Sequence, residues 1–104
     1  MDIFMESKIS DKILGFIKEQ KQLFESFDAV YLFGSVLDRD KYPRDIDLLL
    51  VYSEYSNKII NDLDLICYVL EEIFKIPIDL TVLDCAELTD TDFLKKIKVY
   101  IKLK

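Results

Sequence analysis

The chain has 104 residues, 51 % of them hydrophobic, with two Gly, two Pro and a formal net charge of −6. That size supports one domain over residues 1–104 with a single core, and the composition excludes a disordered or repeat protein. The acidic balance argues against nucleic acid as a direct partner, because phosphate backbones are gripped through clustered Lys and Arg, and no apolar run approaches the ~20 residues of a membrane span.

In chain order, Ile9, Ile13, Phe16, Ile17 and Phe24 recur mostly at three- and four-residue steps, which predicts an amphipathic helix over about residues 8–25. "AVYLF", Ala29 to Phe33, reads as a short buried strand that turns sharply at Gly34. "SVLDRDKYPR" is a polar loop, opened by one helical turn from Ser35. "DIDLLLVY" is a second strand whose unbroken apolar run, Leu48 to Val51, predicts cover on both faces. Residues 56–75 form a second helix, with Ser56 as N-cap, Ile59, Leu63, Ile66, Leu70 and Phe74 on one face, and Pro77 beyond its end. "IPIDLTVLD" is a third strand; a short acidic linker, a helical turn in "TDFLKKI" and a last strand around Val99, Ile101 and Leu103 complete the chain. The fold class is α/β (α+β), a small mixed sheet of about four strands flanked by helices. The final ten residues carry five Lys and no acid, and read either as an edge strand whose lysines discourage sheet-to-sheet aggregation or as a partner or phosphate contact. Cys67 and Cys85 are too few for a disulfide framework or zinc site, and the sequence has no His; a reduced, cytoplasmic setting is expected.

Four Asp-x-Asp pairs occur, beginning at Asp38, Asp45, Asp62 and Asp90, and with 13 Asp in the chain such a pair has little meaning alone. Asp38 and Asp40 fall in a polar loop; Asp62 and Asp64 point to different faces of a helix; Asp90 and Asp92 lie beside threonines that favour a helix cap. These three pairs read as solvated surface pairs. Asp45 and Asp47 open a strand, and its two-residue period aims both carboxylates to one side, where like charges need a cation or proton to compensate them. Mg²⁺ suits such a pair, since it takes a few carboxylates and completes its shell with water and substrate phosphate. If the third strand lies beside the second, Asp79 joins the same side, and three carboxylates can hold two ions for phosphoryl transfer. Gly34 allows close backbone approach to a phosphate, and Ser35 adds a hydroxyl donor.

Phe33-Gly34-Ser35, Asp45-Ile46-Asp47-Leu48 and Ile78-Asp79-Leu80 together resemble the nucleotidyltransferase superfamily related to DNA polymerase β. Its signature is a hydrophobic residue before Gly-Gly or Gly-Ser, a loop, an Asp-x-Asp or Asp-x-Glu strand, and a third acid on a later strand. The small size and the ending "DFLKKIKVYIKLK" resemble its minimal prokaryotic branch, and the resemblance spans nearly the whole chain. It implies Mg²⁺ on Asp45, Asp47 and Asp79, with Asp79 also helping to deprotonate the acceptor, and ATP phosphates on Gly34 and Ser35. The sequence departs from the family pattern after the turn, with Val36-Leu37-Asp38-Arg39 for Arg-Ala-Arg-Gly and Arg44 for Ser; Arg39 and Arg44 are the cations available to the nucleotide. Minimal members resemble antitoxins that act beside HEPN-domain toxins, several of which receive AMP from ATP on a tyrosine. The implied function is therefore AMP transfer to a partner hydroxyl, within a hetero-oligomer with the toxin. The alternatives are a non-catalytic module that neutralises its partner stoichiometrically, and transfer to a small molecule, for which an acceptor domain is wanting. A phosphoacceptor receiver domain fits worse, because the first strand ends in Gly-Ser and not in an acidic pair.

Overall fold

The computed structural model describes residues 8–104. The order of elements is α1 (Ile9–Glu19), a 3-10 turn (Gln22–Phe24), β1 (Ala29–Phe33), a second 3-10 turn (Gly34–Leu37), β2 (Ile46–Tyr52), α2 (Asn57–Phe74), β3 (Ile78–Asp84), α3 (Cys85–Thr91), α4 (Phe93–Ile97) and β4 (Tyr100–Lys102). The four strands form one mixed sheet in the order β3-β2-β1-β4, with β2 and β3 parallel and the other pairs antiparallel.

The predicted strand over residues 45–52 is β2, central and covered on both sides. Leu48 and Leu50 enter a core with Ile13, Ile17, Ile59, Ile66 and Leu70 of α1 and α2. Leu49 and Val51 enter a second cluster with Tyr31, to which Leu88, Phe93 and Leu94 of α3 and α4 are packed. Leu48, Leu49 and Leu50 are each 0 % exposed. That two-sided burial is what an unbroken apolar run in a strand requires, since every such side chain contributes roughly 1.5–3 kcal/mol only when removed from water.

Several boundaries differ from the sequence reading, each for a local reason. The helix predicted to residue 25 stops at Glu19, because Lys18 to Gln22 offer no side chain to the core; Phe24 and Phe27 reach it through the 3-10 turn that follows. Ser56 occupies the N-cap position of α2, but its side chain accepts no capping hydrogen bond. The helix ends at Phe74 with Lys75 in the left-handed region at φ 56°, ahead of Pro77. Asp62 is not a solvated charge: it is half-buried, accepts from Ser26 Oγ, and pairs with Lys58 Nζ at 3.0 Å. Asp92 makes no side-chain cap and stands at the joint between α3 and α4, in the left-handed region at φ 53°. β4 is the lysine-bearing edge strand read from the tail.

The acidic linker is the helix α3. Its start is a capping box: Glu87 N donates to Asp84 Oδ1 at 2.7 Å, and Asp84 N donates to Glu87 Oε1 at 3.0 Å. The spacing Asp84-x-x-Glu87 carried that signal in the sequence. Asp84→Ala is expected to lower stability by ~1 kcal/mol in urea unfolding, with Glu87→Ala on the same background adding little, because the two bonds form one unit.

Candidate active site

Pairing decides the geometry. In the antiparallel β1–β2 ladder Phe33 is level with Asp47, and in the parallel β2–β3 ladder Asp47 is level with Asp79. Residues level with one another in neighbouring strands share a face, so Asp47 and Asp79 project together, on the side of the sheet where Leu49 and Val51 meet α3 and α4. Asp45 lies one residue before β2 and joins them: one carboxylate oxygen from each of Asp45, Asp47 and Asp79 lies within 4.8 Å of the others. Asp45 and Asp47 are half-buried and Asp79 is exposed, so the cluster opens to solvent on the β3 side.

The Gly34-Ser35 turn closes the other side. Gly34 has φ +82°, and a Cβ built on it falls 2.1 Å from Asp47 Oδ2, so the carboxylate occupies the space a side chain would fill. Only glycine satisfies both conditions. Ser35 Oγ donates to the carbonyl of Asp45 at 3.4 Å, a long contact that ties the turn to the start of β2. Phe33 and Phe93 pack edge to face, centroids 5.6 Å apart, and anchor α4 beside this turn. The sequence reading gives Phe93 only a helical turn and no role at the site; its place there depends on how α4 folds back on the sheet.

The structure thus unites five of the predicted site residues, Gly34, Ser35, Asp45, Asp47 and Asp79. Arg39 is elsewhere: its guanidinium donates to Asp11 Oδ2 of α1 at 2.6 Å, in the layer on the other face of the sheet. Arg44 is exposed and immediately precedes Asp45.

Burial, then the charges of Asp45 and Asp79, push the pKa of Asp47 from 3.8 up to about 6. All its charged perturbers are acids, so the cluster holds more negative charge than it can balance among its own side chains. Three hard oxygen donors with one solvent-facing side fit Mg²⁺ by donor type and number. The sign of the stability effect follows from the raised value. Below pH ~3 Asp47 is protonated folded or unfolded; as pH rises from there to about 6 the unfolded chain releases the proton first, so stability falls, and above about 6 the full penalty stays. Without divalent cation at pH 7.5, Asp47→Asn is therefore expected to be more stable than wild type by on the order of 1 kcal/mol, discounted for partial exposure. That is a few degrees in Tm. The gap closes towards pH 3, and millimolar Mg²⁺ raises the wild-type Tm more than that of the variant.

A family model described as Polymerase beta, Nucleotidyltransferase matches residues 11–102. Among solved structures, the chain is similar to one in the complex of a tri-AMPylated Shewanella oneidensis HEPN toxin with an MNT antitoxin. The identity is 17 % and the TM-score 0.57, over 91 % of this chain and 71 % of that one. It is also similar to a Sulfolobus solfataricus protein named as a candidate nucleotidyltransferase, at 23 % identity and TM-score 0.49, over 89 % of this chain and 80 % of the other. No curated protein matches it.

Proposed function

The chain belongs to the polymerase β nucleotidyltransferase family, and from that premise we propose that it transfers AMP from ATP to a hydroxyl of a partner protein, a tyrosine of a HEPN-domain toxin. The observation that carries the reading is the convergence of Asp45, Asp47 and Asp79 within 4.8 Å, facing the Gly34-Ser35 turn. Asp45 and Asp47 would hold Mg²⁺, with Asp79 completing the set for a second ion; the metal, when bound, supplies charge neutralisation at the α-phosphate and at the leaving pyrophosphate. The Gly34-Ser35 turn would meet the β and γ phosphates through its backbone, and Ser35 would turn its hydroxyl to them in place of its long contact to the Asp45 carbonyl. Asp79, the exposed member, meets the acceptor and takes or relays its proton. The acceptor oxygen bonds to the α-phosphorus, the bond from that phosphorus to the bridging oxygen breaks, and pyrophosphate leaves with the electron pair.

A protein acceptor is supported by the openness of the carboxylate cluster, whose member Asp79 is exposed. A pocket of about 360 Å³ is lined by Ile17, Phe24, Val30 and Lys104, away from the carboxylates. The cluster itself is open, so the acceptor must bring its own enclosure. The solved complex with the same fold carries AMP on its HEPN toxin, and that complex supplies the acceptor class for this reading. The test is incubation of the protein with α-labelled ATP, Mg²⁺ and a HEPN-domain partner encoded beside it. Label on the partner is the expected result. Inhibition of the partner without ATP, and without label, would replace this reading by stoichiometric neutralisation.

A further inference from the structure

The two edges of the sheet are treated differently. At one edge, β4 is three residues long and is surrounded by Lys98, Lys102 and Lys104, with Lys98 in the left-handed region at φ 65°. Short length and lysines are how a strand is kept from pairing with other chains. At the other edge, β3 has seven residues, Ile78 to Asp84, with no Lys and no Pro among them. Its partner, β2, lies on one side only.

Hydrogen bonding shows which groups of β3 face outward. Ile46 N donates to the carbonyl of Pro77 at 2.9 Å while Ile46 is level with Ile78. In a parallel ladder this makes Asp79, Thr81 and Leu83 bond to β2, and turns the N–H and C=O groups of Ile78, Leu80, Val82 and Asp84 away from it. Two of these outward N–H groups are taken: Ile78 N by Glu71 Oε2 at 3.1 Å, and Asp84 N by Glu87 Oε1 at 3.0 Å. Between these carboxylate stops, the amides of Leu80 and Val82 have no partner among the described residues. They leave a two-residue stretch of open edge beside Asp79.

We propose that this open edge of β3 binds the acceptor segment as an added, extended and basic strand, presenting its hydroxyl side chain to the carboxylate cluster. The inference rests on the proposed transfer to a partner hydroxyl and specifies the form of that substrate. Two features select the occupant. A residue level with Asp79 or Thr81 in an added strand projects on the same face as the three carboxylates. The surrounding charge is of one sign: residues 76–94 contain five acids, Asp79, Asp84, Glu87, Asp90 and Asp92, and no Lys or Arg. A second copy of β3 would bring two segments of the same negative charge together, which opposes self-pairing; a Lys-bearing segment is complementary. Main-chain bonds then give affinity, and the charge and hydroxyl give selection.

The test uses the full ¹⁵N-labelled chain and the peptide acetyl-Lys-Val-Tyr-Val-Lys-amide. Binding is expected to shift the amides of Leu80 and Val82 most and to slow their hydrogen exchange. N-methylation of one alternate set of peptide amides, the two valines for antiparallel pairing or the tyrosine and lysines for parallel, is expected to weaken binding at least tenfold while the other set has little effect. Val82→Pro removes an outward N–H without breaking a bond to β2, and is expected to weaken the peptide at least tenfold with Mg·ATP affinity unchanged. Shifts confined to other residues, or equal binding by both methylated peptides, overturn the proposal. Peptide-free shifts at Leu80 and Val82 that grow with protein concentration also overturn it, in favour of a second copy. If the wild type labels its partner while these amides stay silent, the edge is wrong and the transfer stands; if they respond and no AMP moves, the edge stands and the transfer falls.

Discussion

The double substitution Asp45→Asn with Asp47→Asn is expected to abolish labelling of the HEPN partner, a loss of at least about a thousandfold, or ~4 kcal/mol of transition-state stabilisation. The amides keep the shape of both side chains and remove only the charge that would hold Mg²⁺. The fold should not suffer, because the cluster is self-repulsive without metal, with Asp47 pushed up to about 6. The variant should therefore be inactive and, in the absence of Mg²⁺ at neutral pH, more stable than wild type. Inactivity with reduced stability would point to a structural defect, and full activity would remove the carboxylates from the chemistry. Combining a label assay with a melting curve separates the three cases.

Gly34→Ala is expected to be the most damaging single change of a small residue in the chain. A non-glycine residue at φ +82° costs about 1–2 kcal/mol from its backbone alone. The added methyl would also stand 2.1 Å from Asp47 Oδ2, 3.0 Å from its Cγ and 3.3 Å from its Cβ, so the whole side chain must move. Together these should destabilise the protein by roughly 2–4 kcal/mol. A shift of about 1 Å in one metal-holding carboxylate should lower transfer by about a hundredfold. Gly15 is the internal control: it lies within α1, a Cβ there meets nothing within 4 Å, and Gly15→Ala should stabilise by ~0.5–1 kcal/mol. Urea unfolding of the two variants checks the opposite signs. Equal effects would mean that the turn at Gly34 is softer than its geometry.

The edge of β3 gives both experiments a common setting. Asp79 belongs at once to the carboxylate cluster and to the open strand, so the chemistry and the acceptor would meet on one residue. On the proposed reading, a site this open would gain enclosure when a partner is seated. Transfer to free small-molecule hydroxyls should accordingly be slow if the proposed transfer to a protein acceptor holds.

What the sequence by itself determined is whatever depends on neighbours along the chain. The two-residue period placed Asp45 and Asp47 on one side of a strand, the apolar run Leu48 to Val51 announced burial from both faces, and the three- and four-residue steps announced α1 and α2. The Asp84-x-x-Glu87 spacing also contained its capping box, which competed with an acidic composition that reads as linker. Tertiary structure decided the rest, because it depends on residues far apart in the chain. Asp79 stands 32 positions beyond Asp47, and only the parallel register of β3 on β2 makes them neighbours. Arg39, read from the sequence as a cation available to the nucleotide, is drawn to Asp11 of α1, a partner 28 residues away that no local pattern names. Gly34 had a turn written into it, but that the turn lies under the Asp47 carboxylate, with no room for a methyl group, follows from pairing β1 against β2. Local periodicity chose the elements; long-range hydrogen-bonded register brought their carboxylates to one point.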